Sequence, residues 1–292
     1  MNKRILKTGA LAVAATIAFA IFANRVANWG RGFNSETAIL QPITGRDLCS
    51  TNGMETIKVI PQIVVGSFDG GLTNYSTVIQ IVNTSGAAQN ITANFYKQDG
   101  GALDSVELTA GDDTISNGIL RPSSMAKDTM LIVSGGGNTT RGTLGWGRVT
   151  ACGSLSLSTF YELRDGKKSA LYSRVGVPAS PANLSTFVIP RIREAPTGLD
   201  VGFALVNTGS SDATLTAELK DATGKTIATK EFRMGARTHQ SAFTKDVFPP
   251  VTESNERSYQ YLKFTSPSPT FAAVGLAFEG PTQTSFPVDV LE

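Results

Sequence analysis

Ile81-Val82-Asn83-Thr84-Ser85-Gly86, followed by Ile91-Thr92-Ala93-Asn94-Phe95, is the stretch that decides the fold. It returns as Leu205-Val206-Asn207-Thr208-Gly209, followed by Leu215-Thr216-Ala217-Glu218-Leu219. After each Val-Asn-Thr turn, apolar and polar residues alternate with the period of two of a half-buried strand. Asp99-Gly100-Gly101 and Thr223-Gly224 supply the hairpin turns that close the two alternating strands. Upstream, Val59-Ile60-Pro61 returns as Val188-Ile189-Pro190. A repeat this long exceeds a solenoid unit and reads as two related domains in tandem.

The later halves correspond more loosely. Leu155, Leu157, Thr159 and Tyr161 run into Glu162, matched by Ala272, Val274, Leu276 and Phe278 running into Glu279. Gly176-Val177-Pro178 closes the first copy and Phe286-Pro287-Val288 the second. Each copy thus holds about seven short strands with frequent turn signals, the pattern of a two-sheet antiparallel sandwich. In such a sheet one face packs on the other sheet and its reverse meets water. Pro61 inside the first strand predicts an edge position or a bulge. Asp246-Val247-Phe248-Pro249-Pro250 predicts at most a short turn of helix, stopped by proline. The expected fold is all-β. Sandwiches span 55–178 and 186–292, and 179–185 is the linker.

The order of elements, carried by the Val-Asn-Thr turn and the alternating strand ending at Gly100 or Gly224, resembles the tandem immunoglobulin-like β-sandwich modules of secreted and surface bacterial proteins. The resemblance covers both repeats. It implies adhesion or assembly by analogy of fold. The antibody-type pair of cysteines across the sheets is missing.

The 292 residues suffice for two domains with their own cores. Only 17% are charged, against an average of about 25%. Lys3, Arg4 and Lys7 precede an apolar, Ala-rich stretch from Thr8 to Ala23 with Ala18-Phe19-Ala20 as a small-x-small cleavage site. Residues 1–23 therefore read as a signal peptide or a retained membrane-anchor helix. Residues 24–54 form a polar leader, with one short strand at Ala38-Ile39-Leu40. Of the 26 Lys and Arg, three belong to the first segment, which leaves 23 against 24 Asp and Glu. With no basic cluster to neutralise phosphates, nucleic acid is not an expected partner. Membrane contact is expected only through an uncleaved N-terminal segment.

Export makes Cys49 and Cys152 candidates for a bridge, with free thiols or bonds between chains as alternatives. Two cysteines and His239, the one histidine, do not make a four-ligand zinc site. His239 sits in no catalytic motif and reads as a solvated loop or strand-edge residue. Gly135-Gly136-Gly137 lacks the Lys and Ser/Thr of a phosphate loop and reads as a flexible hairpin. Asp112 and Asp113 are weak calcium candidates, as is the turn Asp69-Gly70-Gly71. Trp146, between two glycines, and Tyr261 at the matching place in the second copy are candidate platforms for a sugar ring, weighed against packing in the core. Phe68, Tyr75 and Tyr172 are open to the same two readings. Asn74, Asn90, Asn138 and Asn183 lie in glycosylation triplets, which matter only in a eukaryotic secretory route.

These observations predict an exported, non-enzymatic structural or adhesive protein that needs no cofactor. It is expected to contact other surface proteins, or copies of itself, through sheet edges and loops. A carbohydrate-binding or periplasmic accessory module is the alternative. A carboxylate-pair hydrolase is a third reading that no local motif supports.

Overall fold

Short alternating runs of Val, Ile, Thr and Phe between glycine turns form strands almost throughout. The computed structural model describes Cys49 and residues 55–291, apart from 111–112, 116, 126–128, 136–141, 192–199, 249–259 and 280–281. The expected signal or anchor segment and the leader strand lie outside the described residues. Among the described residues no helix is long and apolar enough to cross a membrane.

Domain 1 contains β1 (Thr56–Val65), β2 (Thr73–Asn83), β3 (Gln89–Lys97), β4 (Glu107–Ala110), β5 (Asp113–Ile115), β6 (Ile119–Met125), β7 (Thr129–Gly135), β8 (Thr143–Ala151), β9 (Leu155–Asp165) and β10 (Leu171–Pro178). Domain 2 contains β11 (Thr186–Arg191), β12 (Asp200–Asn207), β13 (Ala213–Lys220), β14 (Thr226–Met234), β15 (His239–Phe243), the one-turn helix α1 (Thr244–Val247), β16 (Gln260–Thr265), β17 (Phe271–Glu279), β18 (Thr282–Phe286) and β19 (Asp289–Val290). The back sheet of domain 1 runs β1-β8-β3-β6 and that of domain 2 β19-β11-β16-β13-β14. The front sheets run β10-β9-β2-β7-β4-β5 and β18-β17-β12-β15. Without β19, β4 and β5 the two orders are identical. The internal repeat is therefore a repeat of topology. Eight strands are common to the two copies, one more than the seven expected, and β4, β5 and β19 are added at sheet edges.

Pro61 lies on the edge strand β1 at a register shift between Ile60 and Ile63. The missing donor and the irregularity coincide, as the chemistry of proline requires.

The repeated asparagine has a structural task. Asn83 and Asn207 end equivalent front-sheet strands, and the chain then crosses to the back sheet. Asn83 Nδ2 donates to Ala87 O at 2.7 Å, and Ser85 N donates to Asn83 Oδ1 at 3.0 Å. In the second copy, Asn207 Nδ2 donates to Ser211 O at 2.8 Å, and Gly209 N donates to Asn207 Oδ1 at 3.0 Å. One amide thus closes each crossover on both sides, using donor and acceptor together.

Two cores follow from the alternation. In the first, Ile79, Ile81, Ile91, Ala93, Phe95 and Val149 meet between the sheets. In the second, Phe187, Phe203, Leu205, Leu215, Leu262 and Phe264 do so. The ladders set the equivalences between copies. Asn83 lies opposite Leu155, and Asn207 opposite Phe271. The structural match of Leu155 is therefore Phe271, not Ala272 as the sequence comparison expects. A slip of one residue exchanges the two faces of a strand. Phe271, Ala273 and Ala277 point into the core of domain 2, while Ala272, Val274 and Leu276 point outward.

Residues 179–185 form a strap stitched to both domains. Val59 and Ser180 exchange backbone hydrogen bonds at 3.0 and 2.8 Å, and Leu184 pairs likewise with Phe271. Ala273 N donates to Ser180 Oγ at 3.1 Å.

Cys49 and Cys152 are bonded across a sequence separation of 103, and no cysteine is free. The bond ties the leader to the turn between β8 and β9. Closing a loop this long stabilises by roughly 4–5 kcal/mol in the chain-entropy picture.

Replacing either asparagine by alanine opens the turn and removes one buried hydrogen bond, from Gln89 Nε2 in the first copy and to Met234 O in the second. Asn83→Ala and Asn207→Ala should each lower the stability measured by urea unfolding by ~1–3 kcal/mol. Asn207 also reaches Met234 O and Gly235 O, and Asn83 also accepts from Ser85 Oγ and Gln89 Nε2, so the two losses should be similar. Asn90→Ala on the exposed face of β3 should change little.

Candidate interaction surface

The outward face of the domain 2 front sheet carries Ala204, Val206, Ala272, Val274 and Leu276, all buried against domain 1. Paired residues share a face of the sheet, so the registers place His239 beside Val206 and Ala272. Ser241, Ala204 and Val274 form the next row, then Phe243, Gly202 and Leu276. Opposite them domain 1 presents Val59, Val64, Leu144 and Trp146 from β1 and β8, with Tyr161 and Val177 from β9 and β10. Phe68 and Tyr75, 6.0 Å apart edge to face, pack against the same cluster.

Polar contacts fix the register of this junction. His239 N donates to Gln98 O at 2.9 Å. Trp146 Nε1 donates to Arg237 O at 2.8 Å. Gln283 Nε2 donates to Tyr75 Oη at 2.7 Å, and Ser285 Oγ donates to Gly176 O. Gly100 closes the fit. A Cβ there would stand 2.9 Å from Ala236 O, and its φ of +87° also favours glycine.

Trp146 is thereby corrected as a sugar platform. Its ring is 1% exposed and stacks on Tyr96 at 4.4 Å between centroids, so neither face is open to a ligand. The match to Tyr261 holds: Trp146 lies opposite Tyr96 and Tyr261 opposite Lys220 in equivalent ladders. Tyr261 is half-buried on β16. Tyr172 stands at the surface and donates to Asp165. That bond, with backbone donors of Lys168 and Lys167, holds the Asp165 carboxyl down at about 2.

His239 is also corrected. It begins the edge strand β15, but domain 1 covers that edge and the residue is 1% exposed. Neither ring nitrogen has a hydrogen-bond partner among the described residues. Burial alone pushes its pKa down to about 3, so the ring is neutral at physiological pH.

The carboxylates serve structure. Asp69 accepts from Thr73 N at 2.9 Å and from Thr73 Oγ1 at 2.7 Å, closing its own turn. Burial would raise the Glu162 carboxyl, but hydrogen bonds from Arg164 and Arg174 hold it below the usual range. Asp112 and the side chain of Asp113 lie outside the described residues, as do Gly136 and Gly137. Among the described residues no three His, Cys, Asp or Glu gather as a metal site.

The interface residues carried a signal in the sequence. Phe203-Ala204-Leu205-Val206 and Phe271-Ala272-Ala273-Val274 are continuous apolar runs, the mark of strands buried on both faces.

No protein-family model matches the chain, and no curated protein does. Among solved structures, the pilus backbone RrgB of Streptococcus pneumoniae is 13% identical at a TM-score of 0.18, covering 75% of this chain and 87% of that one. A glycosyl hydrolase family 2 member from Bacteroides cellulosilyticus is 9% identical at a TM-score of 0.18, covering 77% of this chain and 28% of that one. A full-length RrgB structure is 11% identical at a TM-score of 0.16, covering 80% and 43%. Likeness at this level carries no argument about activity.

The His239 geometry makes a pH prediction. The unfolded chain takes up a proton near the ordinary imidazole value of about 6.5, which the folded chain refuses until about 3. Stability from this residue is therefore complete above the higher value and lost progressively as pH falls between the two. His239→Leu should leave the urea midpoint near neutral pH equal or higher, and should flatten its acid decline. Carboxylates contribute to both proteins and cancel in the comparison.

Proposed function

We propose that this chain is an exported, non-enzymatic structural protein that works outside the cytoplasm by presenting two rigidly joined sandwiches for contact. The observation that carries this reading is the covered face of β12 and β17. Separate domains on a flexible linker expose polar surfaces to one another. Here an apolar sheet face, a bound strap and interlocking polar contacts fix the two as one body.

Two further features support the placement outside the cytoplasm. Disulfides persist in oxidising compartments, and the bond between Cys49 and Cys152 uses every cysteine of the chain. The N-terminal sequence has the basic start and apolar stretch of an export signal. Adhesive or assembly contact then falls to the exposed faces and edges of the sandwiches, since a rigid scaffold leaves recognition to its surface. The alternative of a sugar-binding module loses Trp146 as a platform and is left with the half-buried Tyr261.

Fractionation of the native host tests the proposal. The expected result is oxidised protein in the envelope or medium, without titratable thiols until it is unfolded and reduced. Reduced protein in the cytoplasm with residues 1–23 intact would contradict it.

A further inference from the structure

The contact between the two domains is heterologous: the front sheet of domain 2 packs on the β1 side of domain 1, and the two surfaces are different. Because the domains share one topology, each also owns the half that the other uses. Domain 1 has a front-sheet face of its own, and domain 2 has its own equivalent of the β1 side. Among the described residues nothing covers Leu131 and Val133 on the first of these halves or Val290 and Leu291 on the second.

On domain 1 the ladders line up Val133, Val78 and Phe160 across β7, β2 and β9. These positions correspond to Phe243, Gly202 and Leu276 in the covered face of domain 2. Leu131 stands one row away at the position of Ser241. Leu131 is 49% and Val133 38% exposed, although both lie in mid-sheet. Large apolar residues clustered on an open sheet face mark an interaction surface.

On domain 2, Val188 stands where domain 1 has Val59, and Tyr261 stands where it has Trp146. Ser180 pairs with Val59, and Asp289 pairs with Val188 in the same way. Val290 and Leu291 thus follow Asp289 as Pro181 and Ala182 follow Ser180. Ala182 is packed into the domain junction, whereas Val290 is 54% and Leu291 41% exposed. Gly224 repeats the positive φ of Gly100, the residue whose bare backbone admits domain 2.

We propose that a second copy of this chain fills the vacancy. The outward face of β2, β7 and β9 in one molecule docks on the β11, β16 and β19 side of another, repeating between molecules the contact that joins the domains within one. The inference deepens the functional reading above and rests on its premise that the protein works by contact. A heterologous contact that does not close on itself propagates as an open chain of subunits. The interdomain contact gives the geometry in which two such surfaces meet, and the shared topology carries that geometry over to the second pair. Domain 1 supplies Gln80, Ser156 and Ser158 where domain 2 has Ala204, Ala272 and Val274, so the contact between molecules is the wetter and weaker of the two.

Sedimentation velocity of the full oxidised chain over a concentration series tests this. The expected result is a weight-average size that rises without a plateau. Leu131→Glu and Leu291→Glu each disable one of the two surfaces, and each variant alone should stay monomeric. An equimolar mixture of the two should form a dimer and nothing larger, because each retains the one surface the other lacks. Both substitutions are at exposed positions, and unchanged urea midpoints would exclude misfolding. A wild-type protein that remains monomeric throughout, a closed dimer that neither substitution disturbs, or a mixture that grows past the dimer would overturn the proposal. Growth that begins only when residues 1–48 are removed would also overturn it, by making the leader the occupant of the face. Protein that is exported yet monomeric removes this inference and leaves the functional reading standing. Polymers of a protein resident in the cytoplasm would do the reverse.

Discussion

Burial of the outward face of β12 and β17 is the constraint on which the rest of this architecture depends. Ala204, Val206, Ala272, Val274 and Leu276 would otherwise stand in water beside a core face that already accounts for Phe203, Leu205 and Phe271. Apolar area of that kind is stabilised by roughly 25 cal/mol per Å² when removed from solvent. Domain 1 supplies the cover, and several otherwise unrelated features follow. The strap pairs with β1, Trp146 gives its indole hydrogen to domain 2, and Gly100 keeps its backbone bare.

Much of the fold could be read from the residues themselves. The Asn83 and Asn207 turns, the alternation after them, the bulge at Pro61 and the helical turn before Pro249 are set by local chemistry. The bond between Cys49 and Cys152 was legible for another reason: no other pairing within the chain exists. The misreadings share a single cause. Aligning Leu155 with Ala272 assumes that one face of β17 is wet, so that the apolar alternate residues must be the core. Both faces are buried, and alternation then carries no information about which is which. The same hidden contact turns His239 from an edge residue into an interior one and closes Trp146 to solvent. Long-range packing of one domain on another leaves only a faint local trace, here the unbroken apolar runs in β12 and β17.

The two halves of the repeat have diverged along the lines this constraint sets. Where domain 2 has Ala204, Ala272 and Val274 on its outward face, domain 1 has Gln80, Ser156 and Ser158. Where domain 1 presents Trp146 and Tyr96 to its neighbour, domain 2 has Tyr261 and Lys220. The surfaces covered within the chain are the more apolar, and their equivalents carry polar groups among the exposed Leu131, Val133, Val290 and Leu291. This is the difference expected between an obligate interface and one that must also exist in water.

The most direct test is whether the sandwiches tumble as one body. Residual dipolar couplings measured for backbone amides of both domains should fit a single alignment tensor in the geometry described, with Trp146 facing Arg237 and His239 beneath Gln98. Couplings that require a separate tensor for each domain would mean that the outward face of β12 and β17 is not held against domain 1, and the account would fail.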